Sequence, residues 1–205
     1  MKYVFTNLSR FVLGMLLLLG FQISQAADAT QSPQIIVETV AQELFGLVKT
    51  KNTDKMADEV YFKQVEKALE EVVNFPFIAA SVMGKAAYSK ATPAQREQFQ
   101  KVFKDGMVKS LGKGVLGYAD SKVVIAGVDD SNPNRQVVKQ EVSADGATHK
   151  LNYTMRKEKS GEWKLINVVL NGVNLGQSFS GQFKASLKKY NGDIDKVIAN
   201  WLADA

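Results

Sequence analysis

The sequence predicts an α+β domain: a four-stranded antiparallel meander with about six helices packed on one of its faces. Three observations carry that prediction. Apolar residues recur at intervals of three and four from Ile36 to Leu111. They alternate with polar ones between Lys122 and Leu170, and they return to helical spacing from Leu175 onward. Helices grouped before and after a single block of strands give an antiparallel sheet with segregated helices, not a parallel α/β order.

The chain opens with a segment of another kind. Lys2 and Arg10 accompany an uncharged apolar run from Phe11 to Phe21, and Ser24-Gln25-Ala26 supplies small residues after it. Basic, apolar, then small is the pattern of a secretory signal peptide, expected over residues 1–26 with cleavage after Ala26. The run is too short for a spanning helix, which needs about 18 apolar residues or more. No cysteine follows Ala26, so a lipid anchor at that point is excluded. Residues 27–205 are then expected to form one soluble exported domain, long enough for a sizeable core.

Residues 27–33 are polar, end at Pro33 and read as a lead-in. Ile36, Val40, Leu44 and Leu47 then define a first helix over about 34–50, with Asp54 as a cap for the next turn. Phe62, Val65, Leu69 and Val72 define a second over about 58–73. Asn74-Phe75-Pro76 breaks the pattern and starts a third, which carries Phe77, Ile78, Val82 and Met83. Thr92-Pro93-Ala94-Gln95 opens a fourth, since threonine with glutamine three residues on can satisfy two free backbone donors. Phe99, Val102, Phe103, Met107 and Leu111 line its apolar side, and Gly112, Gly114 and Gly117 are expected to end it.

The strands follow as Lys122 to Val128, Arg135 to Val142, His149 to Lys157 and Trp163 to Leu170. A loop is expected over 129–134, and turns at Asp145-Gly146 and Ser160-Gly161. Leu151, Tyr153 and Met155 alternate with Asn152, Thr154 and Arg156, so one face of the third strand is apolar. A further helix carries Leu175, Phe179, Phe183 and Leu187 until Asn191-Gly192 stops it. Asp193 caps a last one bearing Ile194, Val197, Ile198, Trp201 and Leu202.

Composition removes several chemistries. There is no cysteine, hence no thiol nucleophile, zinc ribbon or disulfide framework, and the fold rests on its hydrophobic core. The one histidine, His149, excludes any site needing two imidazoles and reads as a strand residue. The formal net charge of +5 falls by two when Lys2 and Arg10 leave, a mild surplus without the clustering expected of a nucleic-acid binder. Gly112-Lys113-Gly114-Val115-Leu116-Gly117 spells GxGxxG, but a helix precedes it and a strand follows. A dinucleotide site needs the reverse order, so that the helix N-terminus meets the pyrophosphate. Asp129-Asp130 sit in a polar turn with no further ligands, and no G-x-S-x-G elbow exists. No catalytic constellation, metal site or cofactor motif can be assembled. What stands out is bulk: eleven phenylalanines, six tyrosines and six methionines. They fit either a packed core or helices that stand off the sheet around an apolar cavity.

Two stretches carry a family resemblance. Asn74-Phe75-Pro76-Phe77-Ile78-Ala79-Ala80-Ser81-Val82-Met83-Gly84, leading to Thr92-Pro93-Ala94-Gln95-Arg96-Glu97-Gln98-Phe99, resembles the central signature of the MlaC family. Gly161-Glu162-Trp163-Lys164-Leu165-Ile166-Asn167-Val168-Val169-Leu170-Asn171-Gly172-Val173-Asn174-Leu175 with Gln182-Phe183 is similar to that family's second pattern. The family usually has aspartate where Asn167 stands and serine where Asn174 stands. It also has arginines near Ala80 and Ser81 and near Ser180 and Gly181.

The resemblance implies a monomeric, non-enzymatic periplasmic carrier of phospholipid that needs no cofactor. Its partners would be an outer-membrane lipoprotein–porin complex and an inner-membrane ABC transporter with a substrate-binding ring protein. It also implies acyl chains held in an apolar pocket between sheet and helices. From the apolar faces above, the expected lining is Phe75, Val82, Phe99, Phe103, Met107, Phe179 and Phe183 on helices, with Leu151, Tyr153, Met155 and Val169 on the sheet. Two rivals stand beside this. One is a small-cavity enzyme using Tyr118, Tyr153 or His149, and the other is an adaptor with a solid core.

Overall fold

In a computed structural model the described residues are 31–144 and 146–204. The signal peptide expected over 1–26, Asp145 of the second hairpin turn and the side chain of Leu202 lie outside that description. Helices start where the sequence supplies caps. Ser32 accepts the Ile35 N–H and Pro33 fills the first turn of α1 (Pro33–Asp54). Asp54 ends α1 instead of capping α2 (Asp58–Glu70), because Lys55 takes a left-handed conformation (φ 52°) directly after it. Asn74 caps α3 (Phe75–Lys90) by accepting the Phe77 N–H at 2.9 Å. Thr92 and Gln95 form the reciprocal pair at the start of α4 (Pro93–Val115), which passes through a 3-10 turn at Leu116–Tyr118.

The strands are β1 (Lys122–Asn132), β2 (Arg135–Ala144), β3 (Ala147–Lys157), β4 (Trp163–Leu170) and β5 (Val173–Asn174). They pair antiparallel in that order, and α5 (Leu175–Lys189) and α6 (Ile194–Asp204) follow. Among the described residues the sheet therefore has five strands, not four. Val173 and Asn174 pair with Leu170 and Val169, but two residues are too few to show a period.

Three boundaries also differ from the sequence pattern. Residues 129–132 remain in the β1–β2 ladder, which closes at Asn132 opposite Arg135. α2 stops at Glu70, because Leu165 donates to the Val72 carbonyl at 2.7 Å and accepts from the Asn74 N–H at 3.0 Å. That pair of bonds pulls the α2–α3 link onto the free edge of β4. Gly112 and Gly114 lie inside α4 and do not end it, since Gly112 serves as a contact point with α2.

The apolar interior is divided in two. One cluster is helical: Leu44, Val48, Tyr61, Val65, Phe75, Val82, Phe99, Phe103, Phe183 and Trp201 are among its buried members, and no described strand residue belongs to it. The other joins the sheet to the start of α1 through Ile36, Val37, Val138, Met155 and Trp163. α1 spans both, its first turns on the sheet and its later turns on the bundle. The Val72–Val73 link spans them too, Val72 against the sheet cluster and Val73 against the helical one.

Candidate functional site

Register fixes which strand residues share a face. Val138 stands opposite Tyr153, Gln140 opposite Leu151 and Ile125, and Val142 opposite His149. Across β3 and β4, Tyr153 faces Val168 and Leu151 faces Leu170. Val138, Tyr153 and Ile125 pack with Ile36 and Val37 of α1, so this is the face turned toward the helices. Leu151, Tyr153, Val168 and Leu170 form an apolar patch on it, and all four are only half-buried.

One polar pair interrupts that face. Gln140 is 2% exposed, and its side-chain oxygen accepts the Tyr153 hydroxyl at 2.8 Å. Tyr153 lies deep enough that burial pushes its pKa well above the ordinary tyrosine value, yet its side chain keeps some accessible surface.

The structure separates the residues expected to share one pocket. Phe75, Val82, Phe99, Phe103, Met107, Phe179 and Phe183 all belong to the helical cluster. Their rings turn on one another instead of on the strands. Phe99 meets Phe183 edge-on at 4.9 Å and Trp201 at 5.1 Å, and Phe103 meets Phe179 at 5.5 Å. Tyr153 and Met155 belong to the sheet cluster, and Leu151 sits beside them on the same face. Val169 does not. It pairs with Asn152, so the strand alternation points it to the opposite face, while Val168 and Leu170 take the inward positions. Gln140, Val168 and Leu170 were missed by the sequence pattern. A glutamine between Val138 and Val142 in an alternating strand was the available signal for the first.

Concavities of about 660 and 290 Å³ flank α3 and α4 at the surface and share Pro76, Glu97 and Gln100. Neither has a strand residue in its lining, so neither is the hollow expected between sheet and helices. His149 is held at both ring nitrogens by neutral groups, the Tyr118 hydroxyl at 3.2 Å and the Asn171 side-chain amide at 3.2 Å. Tyr153 is not part of that arrangement, since it bonds to Gln140. No described helix is long and apolar enough to cross a membrane.

These features define an α+β domain in which a helical bundle and an antiparallel meander keep separate apolar interiors, with a half-covered apolar patch on the inner face of the sheet. The chain belongs to the MlaC family, whose model matches residues 38–203. It is 30% identical over 178 residues to the toluene tolerance protein ttg2D of Pseudomonas putida, covering 86% of this chain and 82% of that one. It is 26% identical over 187 residues to the intermembrane phospholipid transport system binding protein MlaC of Haemophilus influenzae, covering 88% and 86%. Its fold matches the phospholipid-binding protein from Ralstonia solanacearum, solved in complex with a phospholipid. There the TM-score is 0.75 at 20% identity, over 85% of this chain and 96% of the other.

Proposed function

We propose that this protein is a periplasmic phospholipid carrier that moves lipid between an outer-membrane lipoprotein–porin complex and an inner-membrane ABC transporter with its ring-forming binding protein. The observation that carries the reading is the half-buried patch of Leu151, Tyr153, Val168 and Leu170 on the helix-facing side of the sheet. Family membership and the names of the two relatives support it.

Acyl chains lodge along the boundary between the two interiors. Leu151, Tyr153 and Met155 supply the sheet wall, and Phe75, Val82, Met107 and Phe179 the helical wall. Phe99, Phe103 and Phe183 back that wall from inside the bundle. The two clusters share no residue, so they can part without opening either one. α1 and the Val72–Val73 link span the two, and polar contacts from Glu158 to Asn74 and from Asn167 to Gly176 also join the sheet to α3 and α5.

The energetics suit a shuttle. At about 0.8 kcal/mol per methylene, two chains with about 30 methylenes represent roughly 24 kcal/mol against water, so free diffusion of the lipid is negligible. Transfer from a bilayer into an equally apolar site costs little by the same measure. Loading is therefore reversible, and direction is set by the membrane partners.

Mass spectrometry of organic extracts from the purified protein tests this. Phospholipid in stoichiometric amount is the expected result. A protein free of lipid after exposure to phospholipid vesicles would be an adaptor instead, and turnover of a bound small molecule would make it an enzyme.

A further inference from the structure

The side-chain nitrogen of Gln140 has no hydrogen-bond partner among the described residues although it is fully buried. The Tyr153 hydroxyl donates to the Gln140 oxygen at 2.8 Å, which leaves the amide hydrogens turned away from the tyrosine. Around them on the same face stand Ile125, Val138, Val142 and Leu151, all apolar. A buried donor without an acceptor is costly and uncommon, so the group is better explained by a state in which an acceptor arrives.

The surroundings select that acceptor. A phosphate brought against a neutral amide among four aliphatic side chains would lose its hydration without gaining a counter-charge. A neutral carbonyl loses far less. In a diacyl phospholipid the ester carbonyls lie where apolar chain meets polar head, and they are neutral acceptors. We propose that Gln140, oriented by Tyr153, donates a hydrogen bond to an ester carbonyl of the bound lipid and so selects ester-linked over ether-linked cargo. This assignment rests on the phospholipid-carrier reading. It adds to it a reading of the linkage, where apolar burial alone would accept any chain.

The test is competitive loading. Full-length mature protein, stripped of lipid, is incubated with vesicles containing equal amounts of diester phosphatidylethanolamine and its diether analogue with matched chains. Retained lipid is then extracted and the two forms are quantified. The wild type should favour the diester about fivefold to tenfold, the worth of one hydrogen bond in a dry site. Gln140→Met, similar in length and apolar, should bring the ratio to about one by lowering diester retention. The double variant Gln140→Met with Tyr153→Phe removes both halves of the polar pair and leaves neither unsatisfied. It should show the same ratio of about one, which guards against an effect of misfolding in the single variant. A wild-type ratio of one, or a diester preference that survives in both variants, overturns the assignment while leaving the carrier reading intact. Absence of both lipids from the wild type overturns the carrier reading, and the assignment with it.

Discussion

Tyr61 on α2 donates its hydroxyl to the carbonyl oxygen of Gly112 on α4 across 2.8 Å, at a point where the two helices touch. The Leu116 N–H, which an unbroken helix would send to Gly112, is given to Lys113 instead. Tyr61 is itself wholly buried, so donor and acceptor satisfy one another in a site closed to water. The approach is close because Gly112 has no side chain. A Cβ there would lie 2.9 Å from one ring carbon of Phe62 and 3.4 Å from Tyr61. Gly112→Ala should therefore cost about 1–3 kcal/mol, the usual penalty of overpacking a filled interior. Tyr61→Phe, which keeps the ring and loses the bond, should cost about 1 kcal/mol. Urea unfolding midpoints of the two variants check both values. A neutral Gly112→Ala would mean that Phe62 moves aside freely.

Gly84 breaks α3 into two helical pieces with φ 71° and ψ 159°, a conformation that only glycine adopts without strain. A Cβ at this position meets nothing within 4 Å, so the penalty for Gly84→Ala is conformational and not steric. The expected loss is about 1–3 kcal/mol in thermal or chemical unfolding. Gly46→Ala is the control: its Cβ also meets nothing and its backbone is helical, so it should be neutral or slightly stabilising.

Asn167 sits where the family usually carries aspartate, and the structure shows what that position does. Its side-chain oxygen accepts the Gly176 N–H at 3.1 Å in the first turn of α5. A carboxylate there would make the same bond with a full negative charge at a helix N-terminus. Asn167→Asp should then stabilise the fold by about 0.3–1 kcal/mol at neutral pH. The introduced carboxyl would have its folded pKa lowered by that donor. Its contribution is therefore present above the unfolded value of about 3.9 and lost as pH falls through the folded one. Thermal melts of wild type and variant should converge in acid, and equal melting temperatures at pH 7 would contradict the argument. Gly176→Ala acts in the opposite direction, because its Cβ would stand 2.6 Å from the Asn167 oxygen.

The β3–β4 hairpin is tied to the start of α3 by a charged group. Glu158 accepts from Arg156 at 2.8 and 3.2 Å and from the Asn74 side chain at 2.8 Å, and Arg156 lies over the Phe77 ring at 4.0 Å. The Arg156 guanidinium, helped by Asn74, holds the Glu158 carboxyl below its ordinary range. A depressed carboxylate contributes stability above the unfolded value and loses it as pH falls through the folded one. Both side chains keep about a quarter or more of their surface exposed, so solvent screens the pair. Glu158→Gln should cost only about 0.5 kcal/mol at pH 7, with the difference from wild type vanishing in acid. Acid unfolding curves that stay separated below the carboxylate range would refute it.

Much of the helical half was legible because its signals are local. Asn74, Thr92 and Asp193 cap helices as read, and the capping box of α4 forms as its spacing demands, while the caps at Ser32 and Asn174 are additions from the structure. The strands from Trp163 to Leu170 and the turn before them also follow from alternation. What escaped depended on long-range partners. α2 stops early only because β4 takes up the Val72 carbonyl, and β5 exists only because Val169 and Leu170 offer it an edge. The phase of β4 slipped for a related reason. A register irregularity between Thr154 and Met155 shifts the pairing, so Val168 and Leu170 point inward and Val169 does not. Phe99, Phe103 and Phe183 lie on an apolar helix face, as their spacing required, but spacing cannot say which neighbour that face meets. Here it meets other helices and Trp201.

That division between sheet and bundle separates two substitutions that otherwise look alike. Phe103 is 1% exposed inside the helical cluster, against Phe99, Phe179 and Trp201. Phe103→Asp would leave a charge in that interior, with a loss beyond about 4 kcal/mol, enough to unfold a domain of ordinary stability. Leu151 is half-buried on the inner sheet face, so an aspartate there keeps partial access to water. Leu151→Asp should leave the circular dichroism spectrum and a cooperative melt intact while placing a charge on the surface proposed to hold acyl chains. Lipid recovered from Leu151→Asp by organic extraction should fall at least tenfold below wild type, since one desolvated charge outweighs several methylenes. If the folded Leu151→Asp variant keeps its full lipid complement, the acyl chains lie elsewhere than on the β3–β4 patch.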